Sequence, residues 1–189
     1  MAPAAAAVEV GQRMPDFRLT NSSGEIVQLS DFAGRTVVLE WNNPGCPFVQ
    51  RHYGSGNMQA LQREARADGV VWLTINSGAP GRQGFMRGPA ANGFVSRENA
   101  SPSHYLLDPR GVVGRAYGAT ATPEMFVIDG SRVLRYNGAI DDAPRARESE
   151  TRSANSYVRA ALADLDAGRA VRTRETRPYG CSVKYSDAS

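Results

Sequence analysis

The chain predicts an α/β fold with a central mixed β-sheet covered by helices on both faces. Three observations carry this reading. Thr36-Val-Val-Leu39 and Val70-Val-Trp-Leu-Thr-Ile75 are apolar nearly throughout, as strands buried on both sides are. Between them Met58, Leu61 and Ala65 recur at helical spacing. Short alternating runs separated by turn residues stand at both ends of the chain.

The elements follow in order. Residues Phe17 to Leu29 hold two alternating runs around Asn21-Ser-Ser-Gly24, which predicts a β-hairpin. Ser30-Asp31-Phe32 caps a helical turn that ends at Gly34. The strand ending near Trp41 leads through Asn42-Asn43-Pro44-Gly45 into a helix, which Gly54-Ser-Gly56 kinks or breaks before it ends at Asp68-Gly69. After the second buried strand, residues 76–103 are rich in Gly, Pro and small polar residues. They predict a loop with one short helix around Ala90–Glu98. Tyr105-Leu-Leu107, a turn at Asp108-Pro-Arg-Gly111 and a short helix through Val112–Tyr117 come next. Thr122 to Asp129 reads as a strand opened by proline, with Arg132–Tyr136 as its hairpin partner. Ser153 is the expected cap of a last helix carrying Tyr157, Val158, Ala161, Leu162 and Leu165. The order is therefore β-hairpin, β, α, β, α, α, β, β, α. One domain is expected over residues 8–169, with an aperiodic extension over 170–189 that carries Cys181.

Composition narrows the function classes. Hydrophobic content of 41% and charged content of 22% are ordinary for a globular domain. The net charge of +3 comes from arginines interleaved with acids, since Lys184 is the only lysine, and such scattering reads as a solvated surface with no nucleic acid as partner. No stretch approaches the roughly 18 apolar residues of a membrane span, so no integral membrane segment is expected. The Ala/Pro run at the start resembles the residues just beyond a signal-cleavage site, and the expectation is a periplasmic or secreted chain without its leader. Two cysteines are too few for a disulfide scaffold, and neither has a Cys or His at zinc spacing, so neither metal nor other cofactor is expected.

Cys46 is the residue most charged with chemistry. It stands where a buried strand has turned into a helix, with Pro47 at the first helical position, where proline is best tolerated. Unpaired amides and the positive end of the helix dipole favour thiolate there, and can lower a thiol pKa from about 8.5 into the range of roughly 3.5–7.5. An exposed, poised sulfur is the expectation; a buried cysteine that merely packs is the alternative.

Several motifs together resemble the thioredoxin-fold redoxins, in particular the peroxiredoxin-like branch known as the alkyl hydroperoxide reductase/thiol-specific antioxidant superfamily. They are Gly11-x-x-x-Pro15-Asp16-Phe17-x-Leu19, Leu29-Ser-Asp-Phe-x-Gly34, and the strand into Cys46-Pro47-Phe48-Val49. Leu106-Leu-Asp108 with Ala116-Tyr-Gly-Ala119, and Thr122-Pro123 before Phe126-Val-Ile-Asp129, continue the match. Gly180-Cys181-Ser-Val-Lys184 resembles the close of a less typical peroxiredoxin-like subgroup, so the likeness covers about residues 8–185. The resemblance implies a thioredoxin-like redoxin domain and a thiol oxidoreductase with antioxidant or redox-homeostasis duties. Peroxide, a small thiol reductant or a thiol/disulfide protein would be its partners.

The chain departs from both patterns. Typical peroxiredoxins carry Thr three residues before the peroxidatic Cys and Pro seven before it, where this chain has Asn43 and Leu39. The Arg expected ahead of the Phe-x-Ile-Asp strand is replaced by Pro123, similar to the cis-proline of thioredoxins. By alignment with Cys-x-x-Cys, Asn43-Pro-Gly-Cys46 keeps only the second cysteine.

Cys46 is thus the candidate nucleophile. Cys181, 135 residues on, is the only intramolecular partner for resolving or bridging. A loop that long would stabilise by roughly 4–5 kcal/mol if bridged. A cis bond would leave the Thr122 backbone free to pair with an incoming peptide, and Asn42 and Asn43 are either donors to a sulfenate or simply turn formers. Trp41 is expected to pack under the site, Arg51 either to lower the thiol pKa or to sit exposed, and His52 to face elsewhere. The alternative function is a non-catalytic binding module on the same scaffold, with Cys46–Cys181 a structural disulfide.

Overall fold

The protein is described by a computed structural model covering residues 8–187; residues 2–7, which hold most of the Ala/Pro run, lie outside them. The N-terminal hairpin is β1 (Arg18–Asn21) and β2 (Ile26–Gln28), and β3 (Val37–Trp41) precedes α1 (Pro47–Gly54) and α2 (Asn57–Ala67). Then come β4 (Val71–Asn76), α3 (Gly88–Arg97), β5 (His104–Leu107) and α4 (Val112–Tyr117). The chain closes with β6 (Ala121–Thr122), β7 (Glu124–Ile128), β8 (Leu134–Gly138), α5 (Tyr157–Asp166) and β9 (Cys181–Ser182).

Seven strands form one mixed sheet in the order β2-β1-β5-β4-β3-β7-β8. The central pairs β5/β4 and β4/β3 are parallel, while the outer pairs, β7 on β3 included, are antiparallel. This is the thioredoxin-like α/β architecture. The unbroken apolar runs follow from it, because strand residues alternate between two cores. Val37, Leu39 and Trp41 pack with Val113 and Tyr117 on one face. Val38 packs on the other with Val49, Tyr53, Leu61, Phe94 and Val158, drawn from four helices.

Local chemistry sets the boundaries. Gly56 adopts φ +74° at the junction of α1 and α2, so the glycine pair breaks the helix. The last helix starts later than its sequence suggests. Ser156, whose hydroxyl accepts from the Arg159 amide, is its cap, while Ser153 ends a 3₁₀ turn and the chain then runs extended through Ala154. The hairpin partner runs from Leu134 to Gly138, two residues beyond the expected span, because Arg132 turns with φ +63°. The extension is not wholly irregular, since β9 pairs antiparallel with β6. Two paired residues are too few to leave a period in the sequence.

One buried carboxyl group gathers an unusually full set of donors in the core. Glu40 is fully buried, and its oxygens accept from Asn42 Nδ2, Tyr53 OH, Gln62 Nε2, Trp72 Nε1 and Thr74 Oγ1 at 2.7–3.2 Å. Burial pushes its carboxyl pKa up, against the pull of these donors. A carboxylate oxygen only accepts, which matches five donors; an amide would turn one donor against them. Glu40→Gln is therefore expected to cost about 1–3 kcal/mol in urea unfolding with the fold retained. An unchanged unfolding midpoint would refute this account of the network.

Candidate active site

Cys46 is the N-cap of α1. Its carbonyl accepts the first helical bond from Gln50 N at 2.9 Å, and Pro47 opens the helix as expected. The turn before it is tied by Cys46 N donating to Asn43 O and by Gly45 N donating to Asn43 Oδ1. The Cys46 side chain makes no cap hydrogen bond with the first turn of α1, although the nearby Val49 amide favours its ionised form. The expected place at the helix start is therefore present, but the expected exposure is not. Cys46 is 0% exposed, because the C-terminal segment folds over it.

That segment is positioned backbone to backbone. Thr122 pairs with Cys181 in the β6/β9 ribbon, Val183 N donates to Thr120 O, and Ala79 N donates to Lys184 O. Gly180, at φ +148°, lies so close that an added Cβ would fall on the Thr122 carbonyl, and glycine alone fits there. Downstream, the Tyr185 hydroxyl donates to Ala119 O at 2.7 Å and its ring lies under the Arg115 guanidinium. The Thr122–Pro123 bond is cis. The Thr122 edge, expected to be open to an incoming peptide, is filled by the chain's own tail.

The two sulfurs lie 2.7 Å apart, both as free thiols, and the Thr122 carbonyl is 3.1 Å from the Cys46 sulfur. Cys181 is half-buried where Cys46 is sealed. Burial alone would raise the Cys46 pKa. The Cys181 thiol, the Val49 amide and the Thr122 hydroxyl outweigh it and hold the pKa below the ordinary thiol value. Burial, together with donation to Cys46 and the charge that Cys46 then carries, pushes Cys181 up to about 11. The pair thus divides into a sulfur that ionises first, Cys46, and one that keeps its proton longer, Cys181.

Of the two asparagines only Asn43 serves as a turn former, accepting from the Gly45 amide. Asn42 bridges Tyr105 OH and Glu40, and the Asn43 amide donates to Gln83 Oε1 at 2.8 Å, so neither side chain is spent on the sulfur. Trp41 packs against Tyr117 and Phe126 in the core cluster separate from the one that holds Cys46. Glu124 steadies the Thr122 edge by accepting from the Thr120 and Ala121 amides. Arg51 does neither thing expected of it: its guanidinium donates to the carbonyls of Ala143, Pro144 and Ala146 and to the Tyr179 hydroxyl. His52 is buried beside it. Sequence reasoning passed over Tyr179 and Glu124 and met Gly180 only as part of the closing motif; the one signal was Pro-Tyr-Gly-Cys, an aromatic residue and a glycine directly before the second cysteine in a polar tail. Among the described residues no group of three or more His, Cys, Asp or Glu side chains is arranged to hold a metal ion.

Comparison with known proteins agrees with this architecture. A hypothetical protein from Sinorhizobium meliloti superposes with a TM-score of 0.81 at 25% identity, covering 96% of this chain and 97% of that one. A thiol:disulfide interchange protein DsbE homolog of Paracoccus denitrificans is 46% identical over 63 residues, a third of either chain. A peroxiredoxin-type protein, bcp, of Helicobacter pylori is 36% identical over 67 residues, 33% of this chain and 44% of its own. The match thus spans less than half the length of either curated relative. The Redoxin family matches residues 9–154, most of the chain including Cys46 and the Thr122–Pro123 turn, and the chain belongs to that family.

Proposed function

We propose that this redoxin is a thiol oxidoreductase that cycles between a Cys46/Cys181 dithiol and an intramolecular disulfide, with a small oxidant, a hydroperoxide, as electron acceptor. The single observation that carries the reading is the 2.7 Å approach of the two sulfurs at the start of α1. The oxidative half would run in two steps. The Cys46 thiolate attacks the distal oxygen of the peroxide, breaking the O–O bond to give a sulfenic acid and an alkoxide or hydroxide, which takes up a proton. The Cys181 sulfur then attacks the sulfenic sulfur, and the bridge forms with loss of water. A small oxidant is favoured over a protein disulfide because the Thr122 edge is already occupied.

Reduction would begin at the more exposed sulfur. An external thiolate attacks Cys181 and expels Cys46, whose low pKa makes it the better leaving group. A second thiolate then attacks the mixed disulfide, freeing Cys181 and releasing the oxidised reductant. A small thiol or a thiol-bearing protein fills this role. We place the chain in the periplasm or outside the cell on its opening Ala/Pro run, and an oxidising compartment there would favour the bridged state. The names of the two curated relatives, an interchange protein and a peroxiredoxin, support thiol chemistry without choosing between its forms.

The complete burial of Cys46 favours a second reading, in which the bridge is a staple and the domain a binding module. One experiment separates the two. With limiting hydrogen peroxide, the wild-type chain is expected to lose the mass of two hydrogens, and glutathione is expected to restore it. Cys181→Ala should instead stall at sulfenic acid. Oxidation no faster than that of free cysteine, or a bridge that resists glutathione, would end the catalytic reading. The division of pKa values gives a second expectation. Followed by thiolate absorbance, the reduced protein should titrate once below the ordinary thiol value and again near pH 11. Because Cys181 is the largest stabiliser of the Cys46 thiolate, Cys181→Ala should move the first step upward; an unmoved step would contradict the assignment.

A further inference from the structure

Cys181 stays on Cys46 only if the extension that carries it is held down, and the strongest hold lies two residues upstream. The Tyr179 side chain reaches into a cradle built by Arg51 and His52 of α1 and by Asp141. Its hydroxyl donates to Asp141 Oδ1, accepts from Arg51 Nη2 at 3.1 Å, and lies 3.1 Å from His52 Nε2. The tautomer of His52 follows from its other nitrogen. Asn57 Nδ2 donates to Nδ1 at 3.0 Å, so the ring proton sits on Nε2 and points at the phenol.

One donor and two lone pairs are all a phenol has, and all three are used. The cradle groups are themselves sealed, His52 at 0% and Asp141 at 2% exposure. Burial and the adjacent guanidinium keep His52 neutral, holding its pKa down to about 3, as this pattern requires. Burial and Asp141 push the Tyr179 pKa up, so the phenol keeps the proton it donates. The ring also lies tilted against Phe48, 5.7 Å between centroids, directly beside the Cys46 turn. From Tyr179 the chain passes through Gly180, the one residue that fits against the Thr122 carbonyl, straight to Cys181.

We propose that Tyr179 is the positioning residue of the redox pair: its phenol, captured by Arg51, His52 and Asp141, seats the C-terminal segment over Cys46 and thereby sets the stability of the Cys46–Cys181 pairing. The inference rests on the proposed dithiol cycle for its second half, and the seating of the segment can be judged without that cycle. With the segment lifted, the buried Asp141 and the half-buried Arg51 lose a fixed hydrogen-bonding partner, which makes lifting costly. Cys181 is thereby kept at a high effective concentration beside Cys46.

The test uses the full chain as wild type, Tyr179→Phe, Tyr179→Ala and, as control, the exposed neighbour Arg177→Ala. Equilibration in glutathione redox buffers reads the ratio of bridge to dithiol. Tyr179→Ala should lower that equilibrium constant about tenfold or more, Tyr179→Phe by less in the same direction, and Arg177→Ala not at all. A Tyr179→Ala value within about twofold of wild type overturns the proposal. The second readout is carried in a Cys181→Ser background, where iodoacetamide can reach only Cys46. Tyr179→Ala should speed its alkylation about tenfold or more, and an unchanged rate likewise overturns the anchor. If wild type forms no bridge at all, the dithiol cycle falls and the alkylation rates alone decide the anchor. Tyr179→Phe keeps the ring and the fold, so a misfolded alanine variant does not spare the proposal: Phe values equal to wild type in both readouts would also refute the role of the hydroxyl.

Discussion

Everything distinctive about this redoxin depends on a backbone pairing of two residues with two. Because Thr122 pairs with Cys181, a sulfur from the last tenth of the chain lands on a sulfur at the first buried helix. That contact covers Cys46, supplies the donor that most favours its thiolate, and closes the strand edge beside it. Remove the pairing and the helix terminus would still favour an anion, but the thiolate would lie open to solvent and without its nearest partner. The site is therefore a joint product of a common scaffold and one added strand.

The scaffold below holds that strand's target steady by satisfying buried polar groups rather than by excluding them. Glu40 gathers four donors from α1, α2 and β4 and a fifth from the turn after β3, and Glu124 ties the turn that presents Thr122. Asn43 and Gln83 fasten the Cys46 turn to the loop after β4. Each is a group that would be costly if left alone and is specific when paired. The same logic governs the Arg51–His52–Asp141 cradle, where the phenol gives Asp141 Oδ1 a donor and Arg51 Nη2 an acceptor.

Much of this was legible in the sequence, for reasons that differ from element to element. The central strands announce themselves because both faces are covered, so Val37 to Leu39 and Val71 to Leu73 need no polar alternation. Pro47 and Gly56 mark a helix start and a helix break through backbone constraints that act within a few residues. Cys46 stands out by its place between strand and helix. What stayed hidden depends on contacts across long separations. The burial of Cys46, the filling of the Thr122 edge and the new partner of Arg51 all come from residues near 180, and no local pattern near residues 46 or 51 encodes them. Ser153 and Ser156 are equally good caps by type; only the extended chain at Ala154 decides between them.

The order in which the covering strand is made also has a kinetic side. A polypeptide synthesised from its amino end completes the sheet, α1 and the Thr122 turn well before residues 179–185 exist, so Cys46 passes through an interval with nothing above it. During that interval the thiol lacks both the lid that buries it and the neighbouring sulfur, which leaves it accessible to solvent. Its cover and its partner sulfur arrive together, with the last stretch of backbone.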